Sequence, residues 1–160
     1  MFGVWHFSFT VSNLDGAVDF YTRLLGFDCV HKQEQANEYT QRLVGYPDAQ
    51  LRVAQLVIPG QPRGLSTHDL ELVQYVRPLG SRGDHNICNP GQAHLALAVE
   101  DVHARYEALS REGVEFFSEP NHITAGVNAG GYTVYFYGFD KLVHELVQPP
   151  PDRIAAYRAR

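Results

Sequence analysis

Apolar and polar residues alternate in the first strand-like segment of the chain, VWHFSFTV at residues 4–11. The pattern predicts a strand with Phe7, Phe9 and Val11 on one face, and with His6 and two small hydroxyl residues on the other. The large apolar side chains are expected to face a core. The opposite face therefore carries a histidine with open space beside it.

Residues 12–26 change to a helical spacing, with apolar residues recurring every three or four positions. Ser12, Asn13 and Asp15 are typical of a helix start, and Gly26 is a natural C-terminal stop. The pattern predicts one amphipathic helix that packs against the apolar face of the preceding strand.

The second half of the chain repeats this order. AHLALAV at residues 93–99 predicts a strand with His94 opposite the leucines, and a helix capped by Asp101 follows it. Both halves close with the same tetrapeptide, Glu-Leu-Val-Gln, at residues 71–74 and 145–148. The recurrence indicates two copies of one structural unit.

Further strand-like segments lie between the helix and the closing strand of each half. They are residues 27–34 and 51–59 in the first half, and residues 114–120 and 132–139 in the second. The extra residues of the first half, 35–50, predict a short helix and a turn at Pro47 and Asp48. Each half therefore has the order strand, helix and three strands.

A sheet with a helix on one face leaves its other face bare, and that face needs a cover. Two such units side by side, curving around a shared cleft, satisfy both copies. We therefore predict an α+β fold in which two paired βαβββ modules form a curved mixed sheet around a metal-binding cleft. A single domain is expected, with module A at residues 1–79, a linker at 80–91, module B at 92–148 and a C-terminal tail at 149–160.

Strand alternation places one glutamate of each closing strand on the bare face. Leu70 and Leu72 share the face toward the helix, so Glu71 points the other way. The same rule directs Glu145 to the bare face and its neighbour His144 away from it.

His6 and His94 belong to the same bare face, which gives two imidazoles and two carboxylates at equivalent positions of the repeat. A carboxylate without partners is costly to desolvate, and a divalent cation removes that cost. Nitrogen and oxygen ligands suit Zn, Ni, Co, Mn or Fe(II). Any one of these residues alone would more often be structural or exposed, so the prediction of one divalent metal ion rests on the repeat.

The other six histidines have no such symmetry and are expected to be structural or exposed, although His68 and His122 lie in loops that could reach a cleft. They are His31, His68, His85, His103, His122 and His144.

Composition narrows the function classes. The net charge of −5 disfavours nucleic-acid and anionic-membrane partners, and the chain has no apolar run long enough to span a membrane. Cys29 and Cys88 lack metal-type spacing, and two thiols do not make a disulfide scaffold. The N-terminus runs directly into a strand pattern and does not resemble a signal peptide. A cytoplasmic protein is expected.

The sequence resembles the vicinal oxygen chelate superfamily, which includes glyoxalase I, methylmalonyl-CoA epimerase, extradiol dioxygenases and bleomycin-resistance proteins. The resemblance covers about residues 4–148 and rests on VWHFSFTVSNLDGAVDFYTRLLGF, DLELVQY, GQAHLALAVEDVHARYEALSREGVEF and VYFYGFDKLVHELVQ. The metal positions of the family fall on His6, Glu71, His94 and Glu145. The usual Asp-Pro-Asp-Gly hairpin before the last strand is here Gly-Phe-Asp-Lys, which is a departure.

The His-Glu-His-Glu set resembles the glyoxalase and epimerase branch of the superfamily. A looser pattern across residues 39–102 is similar to the cyclitol epimerases of the 2-epi-5-epi-valiolone type. The resemblance implies a metal-dependent isomerase, epimerase or glyoxalase-type lyase that acts on a small oxygen-chelating carbonyl substrate through an enediolate.

Within this hypothesis Glu145 is the first candidate for the catalytic base and Glu71 the second. Candidate substrate contacts are Tyr39, Arg42, Arg52, Tyr75 and Tyr135. The alternatives are an Fe(II) extradiol-type dioxygenase that uses His6, His94 and Glu145 only, and a non-catalytic drug-binding resistance protein. A thiol-conjugating resistance enzyme also remains open. A homodimer is expected, because edge strands of open sheets commonly pair.

Overall fold

The computed structural model describes residues 1–83 and 86–159. Contacts within the chain divide it into two compact units, one ending at Gly83 (unit 1) and the other comprising the remainder (unit 2). The predicted linker contains Asp84 and His85, which lie outside the described residues, as does Arg160 at the end of the predicted tail.

Unit 1 is a four-stranded mixed sheet with helix α1 on one face. Its elements are β1 (Phe7–Thr10), α1 (Leu14–Asp19), β2 (Asp28–Gln35), α2 (Glu38–Val44), β3 (Gln50–Val57) and β4 (Leu70–Arg77). The strand order is β1-β4-β3-β2. β1 runs parallel to β4, and the other pairs are antiparallel.

Helix α1 starts at a side-chain cap, as the sequence predicts. The amide oxygen of Asn13 accepts a hydrogen bond from the Gly16 backbone at 3.0 Å, which satisfies one of the free N–H groups of the first turn. The helix continues as a π-helical turn over Phe20–Leu24. Leu14, Ala17 and Tyr21 are fully buried against the sheet.

Unit 2 has the same plan. Its elements are β5 (His94–Ala98), α3 (Val102–Arg111), β6 (Asn121–His122), β7 (Tyr132–Tyr137), β8 (Val143–Gln148) and α4 (Pro151–Arg158). The strand order is β5-β8-β7-β6, with β5 parallel to β8. Asp101 caps α3 by accepting from the Ala104 backbone at 2.9 Å. The predicted βαβββ order and the mixed sheet are confirmed in each unit.

The repeated tetrapeptide has a structural explanation in its last residue. The side chain of Gln74 accepts a hydrogen bond from the backbone of Leu14 at 3.1 Å, and that of Gln148 accepts from Val102 at 2.9 Å. Each glutamine thus ties the first residue of the unit's helix to its closing strand. The leucine of each tetrapeptide is buried on the helix side, and the glutamate faces away from it.

The predicted strand at residues 114–120 is wrong in its extent. Backbone hydrogen bonds join Phe117 to Tyr135 at 2.9 Å and Tyr137 to Glu115 at 2.9 Å, so this segment follows β7 only briefly. The Ser118 hydroxyl donates to the Glu119 carbonyl at 2.8 Å, and Pro120 has no N–H to donate to a partner strand, so regular pairing resumes only at β6.

Other sequence predictions agree with the structure. α2 and a turn at Pro47 and Asp48 occupy the extra residues of unit 1. The C-terminal segment forms the short helix α4, which begins at the last residue of the proline run, Pro151. None of the helices in the described part of the chain is both long and apolar enough to cross a membrane.

Candidate metal centre

In unit 1, His6 and Glu71 face each other across two parallel strands. His6 directly precedes β1, and Ser8 of that strand is the register partner of Glu71 in β4. The His6 Nε2 atom lies 3.7 Å from Oε1 of Glu71. Parallel pairing therefore brings the predicted imidazole and carboxylate of this unit together on the sheet face opposite α1.

A third side chain, His68, completes this group. Its Nε2 atom lies 3.6 Å from Oε2 of Glu71, and its ring stacks on that of His6 with centroids 4.8 Å apart. One ligand-type atom from each of the three residues lies within 4.8 Å of the others. His68 is only 4% exposed, so it is the buried member of the cluster.

Burial lowers the pKa of His68, and the neighbouring His6 lowers it further, against the opposing effect of Glu71. A histidine with a lowered pKa is neutral near pH 7, which is the state that binds metals. Both ring nitrogens of His68 and Nδ1 of His6 are buried without a hydrogen-bond partner among the residues that the structure describes. Such unpartnered nitrogen atoms are suited to binding a cation.

In unit 2, His94 and Glu145 form the equivalent pair at closer range. His94 begins β5, whose residue Ala96 is the register partner of Glu145 in β8. The His94 Nε2 atom lies 3.2 Å from Oε2 of Glu145. The other carboxylate oxygen accepts a hydrogen bond from the hydroxyl of Thr133 in β7.

Tyr135 lies beside this second pair. It is the register partner of Glu145, and its hydroxyl is 3.5 Å from Nε2 of His94. Burial raises the pKa of Tyr135, and the charge of Glu145 raises it further. The phenol therefore keeps its proton at neutral pH and can donate it in a hydrogen bond.

His144 is on the opposite side of β8, as alternation predicts. It is fully buried, and its Nδ1 atom lies 3.0 Å from the carbonyl of Leu142. Burial lowers the pKa of His144 to about 4, so it is a neutral core residue.

The remaining predicted substrate contacts lie in different places within unit 1. Tyr75 is on the same face as Glu71, where its ring meets that of Tyr46 edge-on at 6.3 Å. Tyr39 and Arg42 are exposed on α2. These positions leave their predicted roles as hypotheses.

Arg52 lies on the opposite face of the unit 1 sheet from Glu71. In β3 it pairs with Gln74, on the face of the sheet that α1 covers. Its guanidinium donates to Asp15 at 2.9 Å, and this hydrogen bond, followed by one from Lys32, lowers the pKa of the Asp15 carboxyl. Strand alternation turns Arg52 away from Glu71, and its predicted substrate role stays a prediction.

An open pocket of about 380 Å³ lies next to the unit 1 cluster. Its lining consists of Val30, His31, Gln33, Gln55, Arg63 and Thr67. Gln55 is the β3 partner of Glu71, which connects the pocket to the carboxylate. The pocket is mostly polar, with two amides and a guanidinium that can hydrogen-bond a ligand.

Sequence reasoning placed His68 in a loop that could reach a cleft but did not name it as a ligand, and it missed Thr133. Three positions separate His68 from Glu71, and strict alternation would put them on opposite faces. However, β4 begins only at Leu70, and the preceding loop turns His68 back toward Glu71. Pairing the predicted strand at residues 132–139 with the closing strand would have placed Thr133 on the same face of the sheet as Glu145, and so identified it as a donor.

A model of the Glyoxalase/Bleomycin resistance protein/Dioxygenase superfamily matches residues 3–137. The chain belongs to this superfamily. It is also 35% identical over 137 residues to a protein of Actinomyces sp. named 2-epi-5-epi-valiolone epimerase, covering 83% of this chain and 72% of that protein.

Solved structures share the fold. A glyoxalase family protein of Bacillus cereus matches 94% of this chain and 95% of its own, with a TM-score of 0.78 and 18% identity. The trypanothione-dependent glyoxalase I of Leishmania major matches 97% of this chain and 90% of its own, with a TM-score of 0.64 and 18% identity. At this level of identity the likeness shows a glyoxalase-like fold.

Proposed function

We propose that the protein is a divalent-metal-dependent epimerase or isomerase, or a glyoxalase-type lyase, acting on a small substrate with adjacent carbonyl and hydroxyl oxygens. Zn, Ni, Co, Mn and Fe(II) all suit the donor set of the proposed site. The observation that carries the proposal is the recurrence of one histidine and one glutamate, in contact, on equivalent strands of both units. Superfamily membership and the similarity to an epimerase support it.

The proposed metal ligands are His6 and Glu71 from unit 1 and His94 and Glu145 from unit 2. That both pairs hold the same ion is inferred from the sequence repeat. When bound, a divalent ion would polarise the substrate carbonyl and stabilise the negative charge that develops as the neighbouring C–H bond breaks.

Glu145 is proposed as the group that accepts the substrate proton and returns it, and Glu71 is the second candidate. Thr133 holds one oxygen of Glu145 in place and leaves the other free toward His94. Only 16% of the Glu145 side chain is exposed, which limits competition by bulk water for the proton. Tyr135 can donate a hydrogen bond to a substrate oxygen beside His94.

A polyhydroxylated ring is the substrate class that we propose. The epimerase relative is named for 2-epi-5-epi-valiolone, and the amides that line the unit 1 pocket suit hydroxyl groups. Tyr39, Arg42 and Tyr75 are retained as proposed substrate contacts.

Solvent-deuterium exchange tests the proposal directly. Metal-loaded protein in D₂O should introduce deuterium next to the carbonyl of a keto-cyclitol, a methylmalonyl-CoA or a methylglyoxal–glutathione adduct, as followed by NMR. Glu71→Gln and Glu145→Gln should each lose this exchange, because each removes a proposed ligand and base. Exchange at the wild-type rate in both variants would refute the mechanism.

Two outcomes would favour other functions. Oxygen consumption with a catechol and Fe(II) would indicate a ring-cleaving dioxygenase. Drug binding by a purified protein that takes up no stoichiometric metal would indicate a non-catalytic resistance protein.

We also propose a homodimer, because β1 and β2 form the edges of one sheet and β5 and β6 those of the other. Light scattering on a size-exclusion column measures this directly, and a mass near 18.0 kDa would contradict it.

A further inference from the structure

We infer that His68 is an additional metal ligand, so that unit 1 alone presents two imidazoles and one carboxylate to the ion. The inference rests on the proposed function in requiring a bound divalent cation. It adds a ligand outside the repeated pairs, and it makes the two units unequal in metal binding.

The distances in unit 1 fit three ligands around one ion. Metal–ligand bonds of about 2.1 Å place neighbouring ligand atoms roughly 3.0 to 3.5 Å apart in octahedral or tetrahedral geometry. His6 and His68 lie 3.7 and 3.6 Å from opposite oxygens of Glu71. Small side-chain movements therefore suffice to close the site.

Neither ring nitrogen of His68 makes a hydrogen bond within the described part of the chain. Both are buried and lack a hydrogen-bond partner, although a buried polar group without a partner costs about 1–3 kcal/mol. If His68 served only to fill the core, an apolar side chain would do so without this free-energy cost. A bound cation would satisfy one of the two nitrogens.

The backbone around His68 is fixed on both sides, which supports a positioned ligand. The Ser66 hydroxyl donates to the His68 carbonyl at 2.6 Å. Asp69 donates through its backbone to Leu56 at 2.9 Å and accepts from Phe7 at 3.0 Å. The residue after His68 is therefore tied to both β1 and β3.

Unit 2 has no equivalent ligand at this position. Three residues before Glu145 the chain carries Leu142, whose side chain cannot bind a metal. Unit 1 is therefore expected to contribute more of the binding free energy than unit 2.

The test uses the full chain loaded with Co²⁺, in which each bound histidine gives its own strongly shifted, exchangeable N–H signal in the proton NMR spectrum. Three such signals are expected from wild type, for His6, His68 and His94. His68→Phe keeps an aromatic ring for stacking on His6 but removes the nitrogen atoms. It should lose one signal and weaken Co²⁺ affinity by at least tenfold.

Two matched variants control for folding and for general loss of a histidine. His103→Phe makes the same chemical change at an exposed position of α3 and should leave the shifted signals and the affinity unchanged. His68→Gln should lose the same signal as His68→Phe. In addition, His94→Ala with Glu145→Ala should retain Co²⁺ better than the triple variant His6→Ala, His68→Ala and Glu71→Ala, because three proposed ligands remain in the first and two in the second.

The outcomes separate this inference from the proposed function. Two shifted signals in wild type, unchanged in His68→Phe, would overturn the inference even if substrate exchange occurs. Three signals with loss of one in His68→Phe would support it, even if no tested substrate exchanges deuterium. A wild-type chain that binds no Co²⁺ would overturn the inference together with the proposed metal dependence.

Discussion

The hydroxyl of Thr133 donates a hydrogen bond to Oε1 of Glu145 across neighbouring strands of one sheet. The Leu146 carbonyl also lies within reach of this hydroxyl, at 3.1 Å. In unit 1 the position matching Thr133 is Val53, which cannot donate to Glu71. The two glutamates of the repeat therefore have different surroundings, since Glu145 is anchored by a hydroxyl and Glu71 is flanked by two imidazoles.

Replacing Thr133 by valine should separate orientation of Glu145 from its charge. Thr133→Val keeps the side-chain shape but removes the donor, so the free energy of unfolding should fall by about 1 kcal/mol. Deuterium exchange into substrate should fall several-fold, because the carboxylate loses its fixed position. Urea unfolding and NMR measure the two effects.

Thr133→Ser is the matched control, because it retains the hydroxyl. It should preserve most of the exchange rate. Equal loss of exchange in the serine and valine variants would show that the hydroxyl does not position Glu145.

Tyr135 and Arg52 provide a second contrast, between a tyrosine beside His94 and an arginine on the helix side of its sheet. Tyr135→Phe removes only the hydroxyl, and exchange should fall about tenfold if it contributes one hydrogen bond of about 1.4 kcal/mol in the transition state. Arg52→Met should leave exchange within about twofold of wild type. A larger loss in the Arg52 variant would place it in the substrate site after all.

Much of the fold follows from local rules. The capping residues Asn13 and Asp101 predict where the two helices start. Alternation in the closing strands predicts that Leu72 and Leu146 face the helix side. The segment at 114–120 shows where such rules fail, because its two phenylalanines have the composition of a strand. The turn at Ser118 and Pro120 decides instead how far pairing with β7 extends.

For the candidate site, alternation and the repeat together predict the pairing of His6 with Glu71 and of His94 with Glu145. They fail for His68 because it lies outside the strand and has no counterpart in the repeat. Residue type alone suggests Arg52 as a substrate contact, whereas its strand register places it on the helix side of the sheet. Residue type indicates possible chemistry, and register decides which face of the sheet presents it.

His144 makes stability depend on pH. Its pKa is lowered from 6.5 to about 4 by burial, so the unfolded chain binds more protons between these values. The stabilisation is fully present above pH 6.5 and is lost as pH falls toward 4. Lowering the pH from 7.5 to 5 should therefore reduce the free energy of unfolding by about 2 kcal/mol through His144.

Urea unfolding of wild type and His144→Leu at both pH values isolates this contribution. Leucine keeps an apolar side chain of similar size in the core but does not titrate, so the pH dependence should shrink by that amount. An unchanged pH dependence in the variant would assign the effect to other groups.

Gly138 tests the packing around the same histidine. A Cβ atom added at Gly138 would lie 2.7 Å from Cε1 of His144, whose ring is fixed by burial. Gly138→Ala should therefore destabilise the protein by about 1–3 kcal/mol. Gly64 is the matched control, because a Cβ there meets nothing within 4 Å and Gly64→Ala should change stability by less than about 0.5 kcal/mol. Equal melting temperatures for the two variants would contradict the rigid placement of His144.

Metal binding should stabilise the folded protein, because the unfolded chain no longer holds the ligands together. At a free metal concentration of about 100 times Kd, the gain is about 2.7 kcal/mol, which corresponds to roughly 5–10 °C in Tm for a chain of this size. Differential scanning fluorimetry with Zn²⁺, Ni²⁺, Co²⁺ or Mn²⁺ measures the shift, and a chelator should reverse it. The Glu71→Gln variant should show a smaller shift than wild type, since its amide is a weaker ligand than a carboxylate. Identical shifts in wild type and Glu71→Gln would mean that the stabilising ion binds elsewhere.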